Sequence, residues 1–280
     1  MQPVRHAAQI EQSIHKKFRK GLWRPFIEGV KRYELIQEGD CIAVCISGGK
    51  DSFLLAKLMQ ELRKISHTPF ELRFVVMNPG YHADVMAKIR KTAEHLCVPV
   101  TVFETDIFDV VKKAGGSPCY LCARMRRGHL YSQARKLGCQ KVALGHHKSD
   151  VVETTLMGML FGSQHQTMMP KLKSRNFAPL ELVRPMYCIA EDDISSWVRY
   201  NGLCFVGCSC PLAVKAKQAE SESGSKRLEV KNLLSQLKRQ GNKHVEASVF
   251  SSLHMLNLDT AIGYKKGGRV YSFLDEYDKA

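Results

Sequence analysis

Six consecutive residues, Ser47-Gly48-Gly49-Lys50-Asp51-Ser52, set two glycines, two hydroxyls, a cation and a carboxylate behind the unbroken apolar stretch Cys41–Ile46. Glycines let a backbone come close to a ligand, successive peptide N–H groups form an anion nest, and a following helix adds the positive end of its dipole. The chemistry on offer is phosphate binding. The Walker P-loop is a different device, because it needs Gly where Val44 stands and Ser or Thr where Asp51 stands. A plain strand-to-helix turn would account for Gly-Gly-Lys but not for all six residue types in order.

A second kind of chemistry is carried by cysteine. The chain has ten, and four of them fall in two close-spaced pairs, Cys119-x-x-Cys122 and Cys208-x-Cys210. Such pairs are what a metal site assembled by folding needs, since each presents thiolates from one tight turn. A zinc ion would take all four sulfurs, an iron–sulfur cluster three or four, and a thioredoxin-type redox pair at Cys119 and Cys122 is a third reading.

Directly after the first pair come Arg124, Arg126, Arg127, Arg135, Lys136, Lys141 and Lys148, with no Asp or Glu between Cys119 and Ser149. A charge run is ordinarily a solvated face. One with no counter-charge, adjoining both the first cysteine pair and Gly145-His146-His147, is better read as a seat for phosphates or an RNA backbone. Arg126, one turn beyond Cys122, is placed to steady a phosphate or a developing oxyanion. Of the two histidines, one is expected to bind a nucleotide and the other to pack.

The six-residue loop resembles the SGGKDS signature of the PP-loop ATP pyrophosphatases, which cleave ATP to AMP and pyrophosphate while adenylating a substrate. The resemblance implies that Ser47, Gly48, Gly49, Lys50, Asp51 and Ser52 bind the nucleotide, with Lys50 and Asp51 beside the phosphates and a Mg²⁺ ion. Further motifs narrow it: Cys119-x-x-Cys122-Ala-Arg-Met-Arg-Arg-Gly, then Gly145-His146-His147-Lys148-Ser149-Asp150-Val151-Val152-Glu153-Thr154, Met169-Pro170-Lys171-Leu172 and Val183-Arg184-Pro185. Together they are similar to the 2-thiocytidine tRNA thiolation family (TtcA) and its 2-thiouridine relatives, over residues 12–210.

That resemblance implies an ATP-dependent tRNA sulfurtransferase that adenylates a pyrimidine C2 oxygen, at position 32 of tRNA, and replaces it with sulfur. It implies ATP, Mg²⁺ and a [4Fe–4S] cluster, the cluster held by Cys119, Cys122 and Cys208. Catalysis would rest on Lys50, Asp51, Arg126 and Asp150, and Gly145 and His146 would join the loop in holding the nucleotide. The partners implied are tRNA, a cysteine desulfurase or other sulfide donor, and a second copy in a homodimer. Three departures stand out: Ser149 replaces a usual aspartate, the later cysteine pair is C-x-C, and the tail after Pro211 aligns with nothing in the family. The alternatives are a PP-loop iron–sulfur enzyme acting on another RNA nucleotide or a small molecule, and a non-catalytic zinc-dependent RNA-binding protein using Cys119, Cys122, Cys208 and Cys210.

These residues need a scaffold, and the pattern around them supplies one. Cys41–Ile46 has the character of a strand covered on both faces. Helix Ser52–Lys64, strand Leu72–Met77, helix Ala83–Leu96, strand Pro99–Phe103, helix Tyr120–Lys136, strand Lys141–Leu144 and helix Asp150–Leu160 then alternate. Strands separated by helices of this length read as βαβ units: an α/β fold with a parallel, doubly wound sheet and helices on both faces. An amphipathic helix over residues 8–34, kinked at Pro25, precedes it, with eight Lys and Arg between Arg5 and Arg32. Helix Ile189–Tyr200, strand Leu203–Val206, a linker at Ala213–Ser225 and a basic helix from Lys226 to Gln240 are expected beyond it, and Asn257–Tyr264 carries no pattern. The division expected is a basic leader at 1–36, a catalytic domain at 37–210 and a linker with a basic extension at 211–280.

The chain has 280 residues, enough for a full core, with 42 Lys+Arg against 27 Asp+Glu for a net charge of +15. This composition excludes disordered, collagen-like and coiled-coil classes and favours a polyanionic partner, with nucleic acid ahead of a membrane. The first ten residues carry no signal-peptide core and no apolar run approaches a membrane span, so a cytoplasmic protein is expected.

Overall fold

The computed structural model describes residues 4–113, 118–207 and 225–277. They divide into two compact units, Met1–Glu229 and Val230–Ala280.

The first unit is built on β1, Cys41–Ile46, whose side chains alternate between two cores. Ile42, Val44 and Ile46 enter the larger core, while Ala43 and Cys45 join a second one with Val75, Val142 and Ala134. Burial on both faces is what an unbroken apolar run requires. Next come α3 (Lys50–Ile65), β2 (Glu71–Asn78), α4 (Ala83–His95), β3 (Val100–Glu104), α5 (Ile107–Lys113), α6 (Pro118–Lys136), β4 (Lys141–Ala143) and α7 (Lys148–Gly162). The strands β5 (Lys171–Lys173) and β6 (Glu181–Val183) and the helix α8 (Glu191–Tyr200) follow. Sheet order is β3-β2-β1-β4-β6-β5. All pairings are parallel except β5 with β6. Going outward from β1 the chain runs to β2 and β3 on one side and to β4 and β6 on the other. The C-terminal ends of β1 and β4 therefore flank a topological switch point, the place where open α/β sheets bind ligands.

The leader differs from the single kinked helix its periodicity predicts. It is two helices, α1 (Ala7–His15) and α2 (Arg24–Arg32), joined by a π-helical turn at Arg19–Trp23. Pro25 does not kink anything, because it occupies the first turn of α2, where a missing N–H costs nothing. Ile10, Ile14, Leu22 and Phe26 are fully buried in the larger core beside β1 and α3, which explains why the apolar spacing persists across the break. Leu203–Val206, expected as a strand, forms no ladder; Leu203, Phe205 and Val206 instead pack as irregular chain against the larger core. Helix α5, seven residues long, and strands β5 and β6, three residues each, are too short to show a periodic signal.

Helix α9 (Lys226–Arg239) starts in the first unit and runs into the second. The second unit adds α10 (Val245–Ser252), an antiparallel hairpin of β7 (Gly263–Lys266) and β8 (Arg269–Ser272), and the short α11 (Leu274–Tyr277). The helix expected over Lys226–Gln240 is present as α9, and the hairpin lies where the sequence carries no pattern or only the coarse expectation of a helical extension. Among the described residues no helix is long and apolar enough to cross a membrane.

Candidate active site

Leaving β1, the chain turns through Ser47-Gly48-Gly49 into α3. Gly48 has φ +90°, a conformation L side chains rarely adopt, and a Cβ there would come within 2.8 Å of Ile89. The turn is tied by its own hydroxyls. Ser47 donates to Ser52 Oγ from its backbone N (3.1 Å), the two hydroxyls lie 3.2 Å apart, and Ser52 Oγ donates to the Gly49 carbonyl at 2.9 Å. These bonds hold the loop open at the N-terminus of a sixteen-residue helix, where unsatisfied N–H groups and the helix dipole favour an anion.

Lys50 is the first residue of α3. Its ammonium donates to Asp51 Oδ1 at 2.8 Å and to Glu191 Oε1 at 3.1 Å. Burial by itself would lower the Lys50 pKa, but the bonds and charges of Asp51 and Glu191 outweigh it and hold the ammonium above its ordinary value.

Opposite this loop, β4 delivers Gly145-His146-His147. Gly145 lies against the turn, its missing Cβ 3.1–3.2 Å from backbone atoms of Asp51 and Ser52, so a side chain there would push the two loops apart. His147 is buried and caps α7: its backbone N donates to Asp150 Oδ2 at 3.1 Å, and Asp150 N donates to its Nδ1 at 3.4 Å. Its Nε2 faces Asp51 Oδ1 at 3.8 Å. Asp150 Oδ2 faces the same nitrogen at 3.5 Å, so the Asp51 and Asp150 carboxylates converge on one edge of the imidazole. Ser149, where the similar family has an aspartate, is buried and accepts a hydrogen bond from Glu191 N at 3.2 Å. That hydroxyl anchors the start of α8, the helix that supplies Lys50's second carboxylate.

His146 is the member that packs less. Its Nδ1 is buried with no hydrogen-bond partner among the described residues. Desolvation, reinforced by the Arg184 guanidinium, pushes its pKa down to about 4, so the ring is neutral at physiological pH.

Ser47, Asp51, Ser52, Arg126, Gly145, His146 and Asp150 line one cavity of about 280 Å³. Gly48, Gly49 and Lys50 lie between these residues in sequence but are not among those that line the cavity. Arg126 reaches it from α6, with Nη2 3.4 Å from Tyr81 Oη and its guanidinium 5.6 Å from the centre of the Phe108 ring. Cys122, one turn earlier, is buried with Ile107, Phe108 and Val111, and the same cluster takes in Met77 and Tyr81, which also line the cavity. The Cys119 side chain and the whole of Cys208 and Cys210 lie outside the described residues. Among the described residues no group of three or more metal-ligating side chains comes together.

Several members of the site are invisible to motif reasoning. Tyr81 and Met77 lie at the end of β2 with no sequence signal. Glu191 arrives from 141 residues away. Arg227, from the start of α9, places Nη1 3.4 Å from Asp150 Oδ1 and Nε 3.4 Å from Glu153 Oε2. Arg184 was visible as part of Val183-Arg184-Pro185, but its position beside His146 required the fold.

This geometry, a phosphate nest at the switch point of a parallel sheet, defines the class: residues 11–209 match the PP-loop domain family. Curated relatives named tRNA-cytidine(32) 2-sulfurtransferase share 35% identity over 251 residues in Syntrophotalea carbinolica, covering 87% of this chain and 90% of the relative, and 34% over 253 residues in Geobacter sulfurreducens, covering 87% and 91%. The chain belongs to the PP-loop domain family, in the branch whose curated members carry that name. Among solved structures, the U34-tRNA thiolase NcsA from Methanococcus maripaludis, determined with its [4Fe-4S] cluster, has the same fold, with a TM-score of 0.62 over 86% of this chain and 82% of that one at 21% identity.

Proposed function

We infer that this chain is an ATP-dependent tRNA sulfurtransferase, with the C2 oxygen of cytidine 32, the position in its relatives' name, as the atom replaced by sulfur. One observation carries the reading most directly: Met77 and Tyr81 are shared between the cavity walled by the phosphate loop and the cluster that buries Cys122. An activated base and a thiolate-bound group on α6 would therefore meet in one place.

The C2 oxygen of a pyrimidine is a very poor leaving group, and adenylation turns it into AMP. ATP seated in the Ser47–Ser52 loop is attacked at the α-phosphorus by that oxygen. The P–O bond to the β-phosphate breaks, and pyrophosphate is held by the nest and Lys50. Asp51 and Asp150 offer hard carboxylate oxygens on the same cavity wall, which suits Mg²⁺. Arg126 faces the charge that develops as sulfur adds to C2 and AMP departs. His146, neutral, supplies a hydrogen-bonding edge rather than a charge. Holding both reactants in one pocket contributes about 7–11 kcal/mol through orientation.

Cys119 and Cys122 lie three residues apart near the start of α6, a sequence spacing suited to an iron–sulfur cluster. With Cys208 as third ligand, Cys119 and Cys122 would hold such a cluster, and the chemistry it would supply is sulfide for the activated carbon. We place catalysis in residues 37–210, the leader at 1–36 and the extension at 211–280 serving as support and basic surface. The protein is proposed to be a cytoplasmic homodimer supplied by a cysteine desulfurase or another sulfide donor.

Anaerobic purification tests this reading. Brown protein with about four irons per chain, releasing pyrophosphate only when tRNA, ATP and Mg²⁺ are all present, is expected, and Cys122→Ser should lose the iron. Colourless protein holding one zinc, or pyrophosphate release indifferent to tRNA, would overturn it.

A further inference from the structure

Outside the catalytic unit, the β7–β8 hairpin has a composition that its own stability does not ask for. Residues 262–273 hold Lys265, Lys266 and Arg269 and no carboxylate. The strands are joined through Gly267-Gly268, both at positive φ (59° and 87°), the two-residue turn that suits hairpin twist. The register pairs Tyr264 with Tyr271 and Lys266 with Arg269. Because side chains two apart share a face, one face carries both tyrosines and both of these cations, and Lys265 projects on the other.

The tyrosines earn their place structurally. Their rings stack at 4.8 Å and 7°, a cross-strand pair that favours a two-stranded sheet otherwise marginal in water. The Arg269 guanidinium lies over the Tyr271 ring at 5.1 Å, which pre-orders its donors. The cations oppose this economy. Lys266 and Arg269 stand directly across from one another, an arrangement that destabilises a ladder. Lys265, Lys266 and Arg269 are all exposed, and among the described residues no carboxylate forms an ion pair with any of them. The nearest acid in sequence, Asp275, is engaged by the Ser272 backbone N at 2.9 Å. Lysines that merely protect a sheet edge from aggregation need no like-charged neighbour across the turn.

We propose that this hairpin is an RNA contact site of its own, gripping phosphodiester groups with Lys265, Lys266 and Arg269. It rests on the tRNA reading above and adds to it a surface in the second unit that the PP-loop fold does not supply. Phosphates resolve the Lys266–Arg269 repulsion, and a guanidinium held flat on an aromatic ring presents its fork to a phosphate with little ordering cost.

The test uses the full chain, unmodified tRNA transcript and fluorescence anisotropy over a range of salt. The triple variant Lys265→Gln/Lys266→Gln/Arg269→Gln should bind about tenfold more weakly near 0.1 M salt, with the log–log salt slope shallower by about 2–3, as three lost phosphate contacts require. Lys265→Arg/Lys266→Arg should retain wild-type affinity and slope. Equal binding by the triple variant and wild type removes the hairpin site and leaves the function proposed above intact. Failure of the wild-type chain to bind tRNA at any salt removes the RNA reading itself. A charge-retaining variant as weak as the triple variant would show a folding defect and overturn the proposal. So would a triple variant that binds tRNA normally but loses vesicles of anionic phospholipid bound by the wild type.

Discussion

Lys50 Nζ lies 3.1 Å from Glu191 Oε1, joining the first residue of α3 to the first residue of α8. A lysine aimed at phosphates is here held by carboxylates, so ATP must take it from them. Glu191→Gln is expected to tighten ATP binding up to about fivefold, the scale of a partly exposed ion pair. Lys50→Met should cost about 10²–10³ in the rate of pyrophosphate release. Titration calorimetry and a pyrophosphate assay measure the two, and weaker nucleotide binding by Glu191→Gln would show the pair to be support rather than competition.

Arg227 reaches Asp150 across 77 residues of sequence, at 3.4 Å and with its side chain 43% exposed. An interaction so open to solvent is weak. A double-mutant cycle of Arg227→Gln with Asp150→Asn should give a coupling of about 0.2–1 kcal/mol in urea unfolding, and a larger value would mean that α9 clamps the site.

Burial beside Arg184 holds His146 near pKa 4, against an ordinary 6.5. The sign follows from proton counting: between these values the unfolded chain binds a proton that the folded chain refuses, so stability falls as pH drops from 6.5 toward 4 and is unaffected by this group above 6.5. His146→Gln should flatten that part of the stability profile. An NMR titration should show the His146 ring unprotonated down to about pH 5, and an inflection near neutrality would contradict the argument.

The loop itself predicts an order of severity. Gly48→Ala forces a Cβ into a positive-φ position and against Ile89, and should cost about 1–3 kcal/mol. Gly145→Ala meets backbone atoms at 3.1–3.2 Å, so the two loops must part by a few tenths of an ångström; its mark should be weakened ATP binding more than lost stability. Chemical denaturation and nucleotide binding measured on both variants separate the two effects.

Cys41–Ile46, the six-residue turn and the helix after it were legible because each rule is local. A doubly buried strand is an apolar run, a nest needs glycines, and a helix repeats its apolar face. The cysteine pair at the head of α6 and the acid-free run behind it were legible for the same reason. The leader was legible in its buried face but not in its break, since Ile10 and Ile14 before the π-helical turn, Leu22 within it and Phe26 after it keep helical spacing. Leu203–Val206 shows the reverse error: apolar side chains that pack on the core look like a strand, though no neighbour offers its backbone a ladder.

By itself the sequence determined the phosphate nest, the alternation of strand and helix, and the residue types gathered after β1, β4 and the start of α6. Tertiary structure decided that β4 lies beside β1, so that Gly145 touches the Asp51 backbone, and that Glu191, Arg184 and Arg227 come up to Lys50, His146 and Asp150 respectively. Short-range periodicity records how each segment is buried. Which distant segments meet is settled by strand register and the closing of long loops, and neither leaves a local mark in the chain.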